Sequence, residues 1–405
     1  MAERLVYVSR LVNLPLLGAD GAEIGRVADV VLGVPARSEA PSVHGFAIAF
    51  QRRRVFVSIN RMAELTSDGI RLRRDSINMR DFAPRPGETL AIGEIIGRRV
   101  GAERVADIGI RPAPEDIYDW EVATVALVGT GLFGGRRAPR QVAWDEARAA
   151  FGGEPLSREA AAITRLHPAE MAARLRELPI ARRRALAAVM QDERLAELLA
   201  EIPEDEQVRI VEGLDLEHAA RVLDEMAAED AADLLGELPD IRRAQLLGAM
   251  DPEEADPVRR LLGYKGDTAG GLMTPEPVIM PATAIVAEAL ARIREPRLSP
   301  ALAAQVFVTA PPYETPTGRY RGLVGYQRLL QEPPMTPLAR CLEEHPAPLP
   351  TSAPAREVAA RLSAYDALAI PIIDTAGRLV GAVTVDDMLA DLLPNNWRER
   401  RAQGA

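Results

Sequence analysis

The hydrophobic and polar positions of this chain change rhythm twice. Up to about residue 150 the pattern is β-like. Val43-His44-Gly45-Phe46-Ala47-Ile48-Ala49-Phe50 alternates large and small side chains, and Val55-Phe56-Val57-Ser58-Ile59 follows a basic turn at Arg52-Arg53-Arg54. Both are strand signals. Gly25-Arg26-Val27-Ala28-Asp29-Val30-Val31-Leu32 also recurs as Glu103-Arg104-Val105-Ala106-Asp107-Ile108-Gly109-Ile110. The echo predicts two related β units in tandem, over residues 1–75 and 76–151.

From 157 to 262 the strand signals vanish, Ala and Leu dominate, and acidic residues outnumber basic ones. Leu178-Pro179, Ile202-Pro203 and Leu238-Pro239 are separated by multiples of 12. Proline is excluded from helix interiors, so this spacing predicts short helices, each filling about a dozen residues with its turn. Helices that short cannot bury an apolar face alone, and the expected architecture is an all-α superhelix of stacked neighbours. Its hand does not follow from spacing.

The rest of the chain mixes helix and strand. Ala369-Ile370-Pro371-Ile372-Ile373-Asp374 reads as a strand closed by a turn at Asp374-Thr375-Ala376-Gly377. A second strand at Leu379-Val380-Gly381-Ala382-Val383 and a helix from near Asp386 follow. Gln305-Val306-Phe307-Val308, Gly322-Leu323-Val324-Gly325 and a helix from about Gln327 form a weaker upstream copy. This predicts an α/β tandem over 263–333 and 334–396, with a frayed tail at 397–405.

Length and composition narrow the function. A chain of 405 residues holds two to four domains at about 150 residues each. The formal charge of -10 is poorly suited to a phosphate backbone, so no nucleic-acid partner is expected. The single cysteine, Cys341, and four scattered histidines exclude a Cys-based zinc site and make zinc or iron chemistry improbable. Val122 to Gly135, the most apolar stretch, is too short and glycine-rich to span a membrane, and the N-terminus has no apolar run of signal-peptide type. A cytoplasmic protein without a transmembrane segment is expected. No nucleophile–base pair or paired carboxylates stand out as catalytic, so the chain is not expected to be an enzyme. Gly129 to Gly135 lacks the Lys-Ser/Thr of a phosphate loop and reads as a hairpin. The triplets Arg52-Arg53-Arg54 and Arg182-Arg183-Arg184 read as solvated faces or partners of nearby acids, and His167 reads as the residue ahead of Pro168 at a helix start.

Three segments carry a more specific resemblance. Tyr264-Lys265-Gly266-Asp267-Thr268-Ala269-Gly270-Gly271-Leu272-Met273-Thr274-Pro275-Glu276 resembles the linker that joins the helical N domain of the MgtE magnesium-channel family to its pair of cystathionine-β-synthase (CBS) domains. Val222 to Leu235 resembles that family's acidic repeat, and Val383-Thr384-Val385-Asp386-Asp387 the end of its second CBS domain. Leu16-Leu17-Gly18 with Asp20 to Gly25 resembles a PRC-barrel domain, a docking module. Together these resemblances imply a multidomain chain: PRC-barrel-like β units, an MgtE N-type superhelix, and tandem CBS domains of which the first is degenerate.

The MgtE resemblance implies magnesium sensing, with divalent ions bridging acids of the helical domain to acids of the CBS pair. Matched by position, the implied ligands are Glu197, Glu229 and Asp233 in the helical domain and Asp366 and Asp387 in the second CBS domain. Glu229 and Asp233 share one helix face at i and i+4. Arg356 stands where the family can carry an acid, and the third acid of the terminal motif is displaced, with Ala390 followed by Asp391. CBS pairs also bind adenine nucleotides, which implies Thr384 and Asp387 as contacts, whereas the first copy has Arg328 at the acid position. The alternative reading of Thr384 or Asp386 is a simple helix cap, and Asp267 reads as a residue that fixes the linker through its backbone. The implied partners are a second copy through the CBS domains and, through the PRC-like region, a membrane transporter or another protein, which would place the chain at the inner face of a membrane. The rival function is a nucleotide-responsive module or a docking scaffold without metal response.

Overall fold

The computed structural model describes residues 5–35, 40–51, 53–66, 69–73, 77, 79–85, 87–113, 119–129, 138–152, 155–295, 298–343 and 346–392. The Gly129–Gly135 hairpin beyond its first residue, and the tail at 397–405, lie outside them. Two compact units are present. One comprises residues 1–201 with 212–214, and the other 202–211 with 215–405.

The first unit opens with β1 (Val6–Tyr7), α1 (Val8–Leu11), β2 (Pro15–Leu17), β3 (Glu23–Gly33), β4 (Val43–Phe50), β5 (Arg53–Ser58), β6 (Met62–Leu65) and β7 (Ile70–Leu72). β8 (Glu88–Leu90), β9 (Arg99–Val100), β10 (Glu103–Pro112), β11 (Trp120–Val128) and β12 (Arg140–Ala143) follow. One sheet runs β5-β4-β3-β2-β7-β6 with β8 also on β3, and the other runs β1-β10-β11-β12 with β9 on β10. Their apolar faces share one core that includes Val30, Phe46, Ile70, Ile95, Ile108 and Val125.

The two echoing segments are β3 and β10, and both bulge at the same place, between Val27 and Asp29 and between Val105 and Asp107. Pairing crosses the expected division of the β region. β1 joins β10, with Val6 opposite Ile110, while β8 joins β3, with Leu90 opposite Val31. Each of these strands runs into a short helical turn, and the acid of the other copy's bulge holds that turn. Asp29 accepts from the amides of Ile92 and Gly93 at 2.8 and 2.9 Å, and Asp107 from the amide of Ser9 at 3.1 Å. These are N-cap bonds supplied from a different strand, satisfying amides that a helix start leaves open.

The same unit continues into α2 (Pro155–Ile163), α3 (Pro168–Arg176), α4 (Ile180–Ala187) and α5 (Asp192–Ala200). α2 packs on α4 and α3 on α5. His167 caps α3, its ring nitrogen accepting from the amide of Ala169, with Pro168 first in the helix. Arg85 lies over the Phe56 ring and pairs with Asp192 in the first turn of α5. Glu88 lies 4.0 Å from the same guanidinium and 3.4 Å from the His44 ring.

The second unit begins with α6 (Glu204–Val211), α7 (Leu216–Glu225), α8 (Ala228–Gly236), α9 (Asp240–Ala249) and α10 (Pro252–Leu261). Here too each helix packs on the next but one, α6 on α8, α8 on α10 and α7 on α9. Helix starts at 168, 180, 192, 204, 216, 228, 240 and 252 keep the 12-residue pitch throughout. Pro179 and Pro239 occupy the N-cap positions of α4 and α9, so those prolines mark starts as much as ends.

The linker follows, with α11 (Ala269–Leu272) inside it. Next come β13 (Ile279–Pro281), α12 (Val286–Ile293), α13 (Pro300–Ala303), β14 (Gln305–Thr309), β15 (Tyr320–Gly325) and α14 (Tyr326–Gln331), then β16 (Leu349–Pro350), α15 (Ala355–Ala364), β17 (Ala369–Ile373), β18 (Leu379–Thr384) and α16 (Val385–Leu392). Two three-stranded sheets result, β13-β14-β15 and β16-β17-β18, each with one parallel and one antiparallel pair. Phe307, Leu323, Ala369, Leu379 and Ala382 form the core between the copies, and Gln305 donates 2.8 Å to the Ala369 carbonyl.

Candidate functional site

The linker is fastened to the second α/β copy through its backbone. Ala269 and Gly270 donate to the carbonyls of Ala353 and Thr351 at 2.7 and 2.8 Å, and the Asp267 main-chain carbonyl accepts from Ala355 at 3.1 Å. Thr274 then forms a two-bond bridge with Ala382 in β18, at 2.8 and 3.0 Å. The glycines make this approach feasible. A Cβ at Gly381 would lie 2.6 Å from the Thr274 carbonyl oxygen, and one at Gly270 would lie 2.8 Å from the Tyr264 ring.

Two acids, Glu229 and Asp387, stand in the region of this bridge. Glu229 stands in the first turn of α8, where an acid complements the helix dipole. Its side chain is half-buried. Burial pushes the Glu229 carboxyl up to about 8, its own amide and Thr274 oppose the shift, and the charges of Asp230 and Asp387 add to it. Asp387 is also raised, chiefly by burial and then by Asp386, against the hydrogen bonds from Thr384. Thr384 and Asp387 cap α16 reciprocally. The Thr384 hydroxyl and amide donate to Asp387 Oδ2 at 2.7 and 3.2 Å, and the Asp387 amide donates to Thr384 Oγ1 at 3.3 Å. The helix-cap reading of Thr384 thus describes its bonds.

The other expected positions lie elsewhere. Asp233 is exposed one turn along α8. Asp366 is exposed in the turn before β17, at a left-handed φ of 47°. Glu197 is on α5 in the first unit, exposed and paired with Arg194. Arg356 is exposed in α15, and the side chain of Asp391 is outside the described residues. Among the described residues, no three of His, Cys, Asp and Glu form a metal-holding group. Arg328, at the acid position of the first copy, pairs with Glu332 at 2.6 Å. Of the arginine triplets, Arg53 faces Asp81 at 3.8 Å, Arg182 pairs with Glu159, and Arg183 donates to the carbonyls of Leu178 and Arg176.

Thr274 is the contact that sequence reading missed. The signal available for it was its place in the linker motif.

Chemically, Glu229, Asp387 and the Thr274 hydroxyl offer only oxygen donors. Among the described residues no cation is paired with Glu229, and the nearby charges of Asp230 and Asp387 raise its proton affinity. A hard divalent ion that keeps several waters and takes one or two carboxylates suits such a donor set.

Comparison with known proteins agrees with this architecture. The family model of the MgtE intracellular N domain matches residues 166–267, and that of the CBS domain matches residues 340–393. The magnesium transporter MgtE of Thermus thermophilus is 33% identical over 140 residues, 35% of this chain and 30% of that protein. The Bacillus subtilis magnesium transporter MgtE is 26% identical over 227 residues, 56% of this chain and 49% of its own length. The chain thus spans half or less of these curated relatives. A crystal structure of the cytosolic domain of the Mg2+ channel MgtE in complex with ATP superposes with a TM-score of 0.52 at 28% identity, covering 59% of this chain and 95% of that one. No described helix is long and apolar enough to cross a membrane. The chain is therefore a multidomain protein that joins an MgtE intracellular N domain to CBS modules and is homologous to the cytosolic domains of MgtE magnesium transporters.

Proposed function

We propose that the chain is a magnesium-responsive regulatory protein rather than an enzyme, in which a divalent cation is held between the helical domain and the second CBS domain. Glu229 and Asp387 would hold the ion, and Asp233, Asp366 and Glu197 are the further acids that the family register assigns. The observation that carries this reading is that Glu229, in the first turn of α8, lies near enough to Asp387 of α16 for the Asp387 charge to raise its carboxyl, beside a linker bonded to β18. Two carboxylates share one region only at a cost, about 1 kcal/mol at 4 Å in bulk water and about 4 kcal/mol at an effective dielectric near 20. A doubly positive ion reverses that sign, and its differential affinity for the joined arrangement is what a switch needs. Limited proteolysis tests it. Rising Mg2+ should protect the linker from Tyr264 to Thr274, and Asp387→Ala should abolish the gain. Protection that ignores Mg2+ removes the reading.

A second ligand has support of its own. The solved MgtE cytosolic domain is in complex with ATP, and Thr384 and Asp387 are the residue types that the CBS resemblance assigns to an adenine nucleotide at these positions. Protection that follows ATP instead of Mg2+ would favour this reading.

The partners follow from the same resemblance. A homodimer through the CBS modules is supported by Tyr326 and Leu330 of α14 and Leu389 and Leu392 of α16, all exposed. The PRC-like β region would dock a membrane transporter or another protein, keeping a cytoplasmic chain peripheral to the membrane.

A further inference from the structure

The β region repeats itself element by element. In chain order its first half reads β1, α1, β2, β3, β4, β5, and its second β8, the helical turn Ala91–Ile95, β9, β10, β11, β12. The registers agree position for position. β3 meets β4 with Arg26 opposite Ala49 and Val30 opposite Phe46, and β10 meets β11 with Arg104 opposite Val128 and Ile108 opposite Val125. Each long strand bulges a second time at the matching step, between Val31 and Leu32 and between Gly109 and Ile110. Asn13 and Gly97 both take a left-handed φ, 66° and 93°. Their amides donate at 2.8 Å to the carbonyls of Val27 and Val105, which precede the first bulge of each strand.

The opening strand and turn of each half lie on the other half. β1 sets Val6 opposite Ile110 and Tyr7 opposite Gly109, while β8 sets Thr89 opposite Leu32 and Leu90 opposite Val31. Ile110 corresponds to Leu32 and Gly109 to Val31, so one contact is made twice. The bonds to the bulge acids repeat as well. The amide of Ser9 reaches Asp107, and the amide of its counterpart Ile92 reaches Asp29. Each acid also accepts from the residue after it, Val30 at 2.7 Å and Ile108 at 2.8 Å. Val8 and Leu11 of one arm and Ala91 and Ile95 of the other are buried in the common core.

We infer that the β region is a pair of intertwined halves in one chain, whose opening strand and turn are exchanged arms, and that neither half stands without the other. The partner that fits each long strand is the arm of a second copy, here supplied by the other half. Each arm serves two needs of the half it lies on. It pairs a stretch of long strand that β2 or β9 does not reach, an edge otherwise left open. It also brings apolar side chains to the core. In return the bulge acid holds the arm's amides, and Asp29 does so at only 3% exposure. Exchange of identical elements is a known route to dimers, and here it is closed within a single chain. A docking partner meets one body rather than two separate modules. The inference is independent of the cation reading.

Native-state hydrogen exchange over a urea series tests it on the full chain, with the wild type, Asp29→Asn and Asp107→Asn compared. Amides of β3 and β10 should share one opening reaction in the wild type. Asp29→Asn removes a carboxylate acceptor from the second half's arm, and should raise the opening constant of β3 and β10 alike by about fivefold, the order of one lost cap bond. Asp107→Asn should do the same from the other side. Exchange that quickens in β3 alone or in β10 alone overturns the inference, as does separate opening of the two strands in the wild type. Should the variants fail to fold, the wild-type series still decides, and cysteine pairs add a second reading. Val6→Cys with Ile110→Cys should close a disulfide and Val6→Cys with Leu32→Cys should not; the reverse would place each arm on its own half and overturn the inference.

Discussion

Glu88 in the first unit and Glu229 in the second are the same carboxylic acid, both withdrawn from water, and their proton affinities move in opposite directions. Burial alone would raise both. At Glu88 the hydrogen bond to His44, the positive charge of Arg85 and the Arg85 amide overcome burial and bring the carboxyl down to about 2. At Glu229 the neighbours are a hydroxyl and two further acids, and the carboxyl rises to about 8. Burial sets the stakes and the neighbours set the sign. A carboxylate already matched by an arginine is part of the framework, here fastening a strand to α5. One beside other acids either holds its proton or takes a charge from outside.

The largest expected effect comes from breaking the matched side. Arg85→Ala would leave Glu88 and Asp192 buried without their shared cation, and removal of one partner from a buried pair costs about 3–5 kcal/mol. Urea unfolding of the full chain should show that loss. Acid sharpens the same side of the contrast. Because the Glu88 carboxyl lies below its ordinary 4.5, its contribution is complete above about that pH and is lost as pH falls through about 2. The contribution is on the order of 3 kcal/mol, and in Arg85→Ala only the part owed to the guanidinium charge should disappear, because the His44 hydrogen bond and the amide at residue 85 remain. Glu-to-Gln exchange at the two sites then compares them directly. Glu88→Gln removes the negative charge beside Arg85 and His44 and should cost about 2 kcal/mol. Glu229→Gln resembles the protonated acid already favoured near neutral pH, so stability without added cation should stay within about 0.5 kcal/mol of the wild type.

How much of this was legible in the sequence depended on whether the signal was local. The 12-residue helical pitch was readable because proline acts on its immediate neighbours, and helices from α3 through α10 keep it. The strands β17 and β18 followed from apolar runs bounded by a turn, and the echo of Gly25–Leu32 in Glu103–Ile110 became two long strands with matching bulges. The exchange of β1 and β8 between the sheets was hidden. β1 is a two-residue strand without alternation, and its partner β10 lies about a hundred residues away. The Arg85–Asp192 pair is likewise a contact between distant segments that no spacing reveals. At the candidate site, Glu229 and Asp387 were named from family register. The backbone bridge from Thr274 to Ala382 was not, because a pairing between distant segments leaves no mark in a composition or a period.

The most direct test of the central claim is isothermal titration of Mg2+ into the full chain and into its Glu229→Gln variant. The account predicts saturable binding in the millimolar range for the wild type and about tenfold or greater weakening in the variant, with the fold of both intact. Superimposable isotherms, or no saturable heat from the wild type, would contradict it.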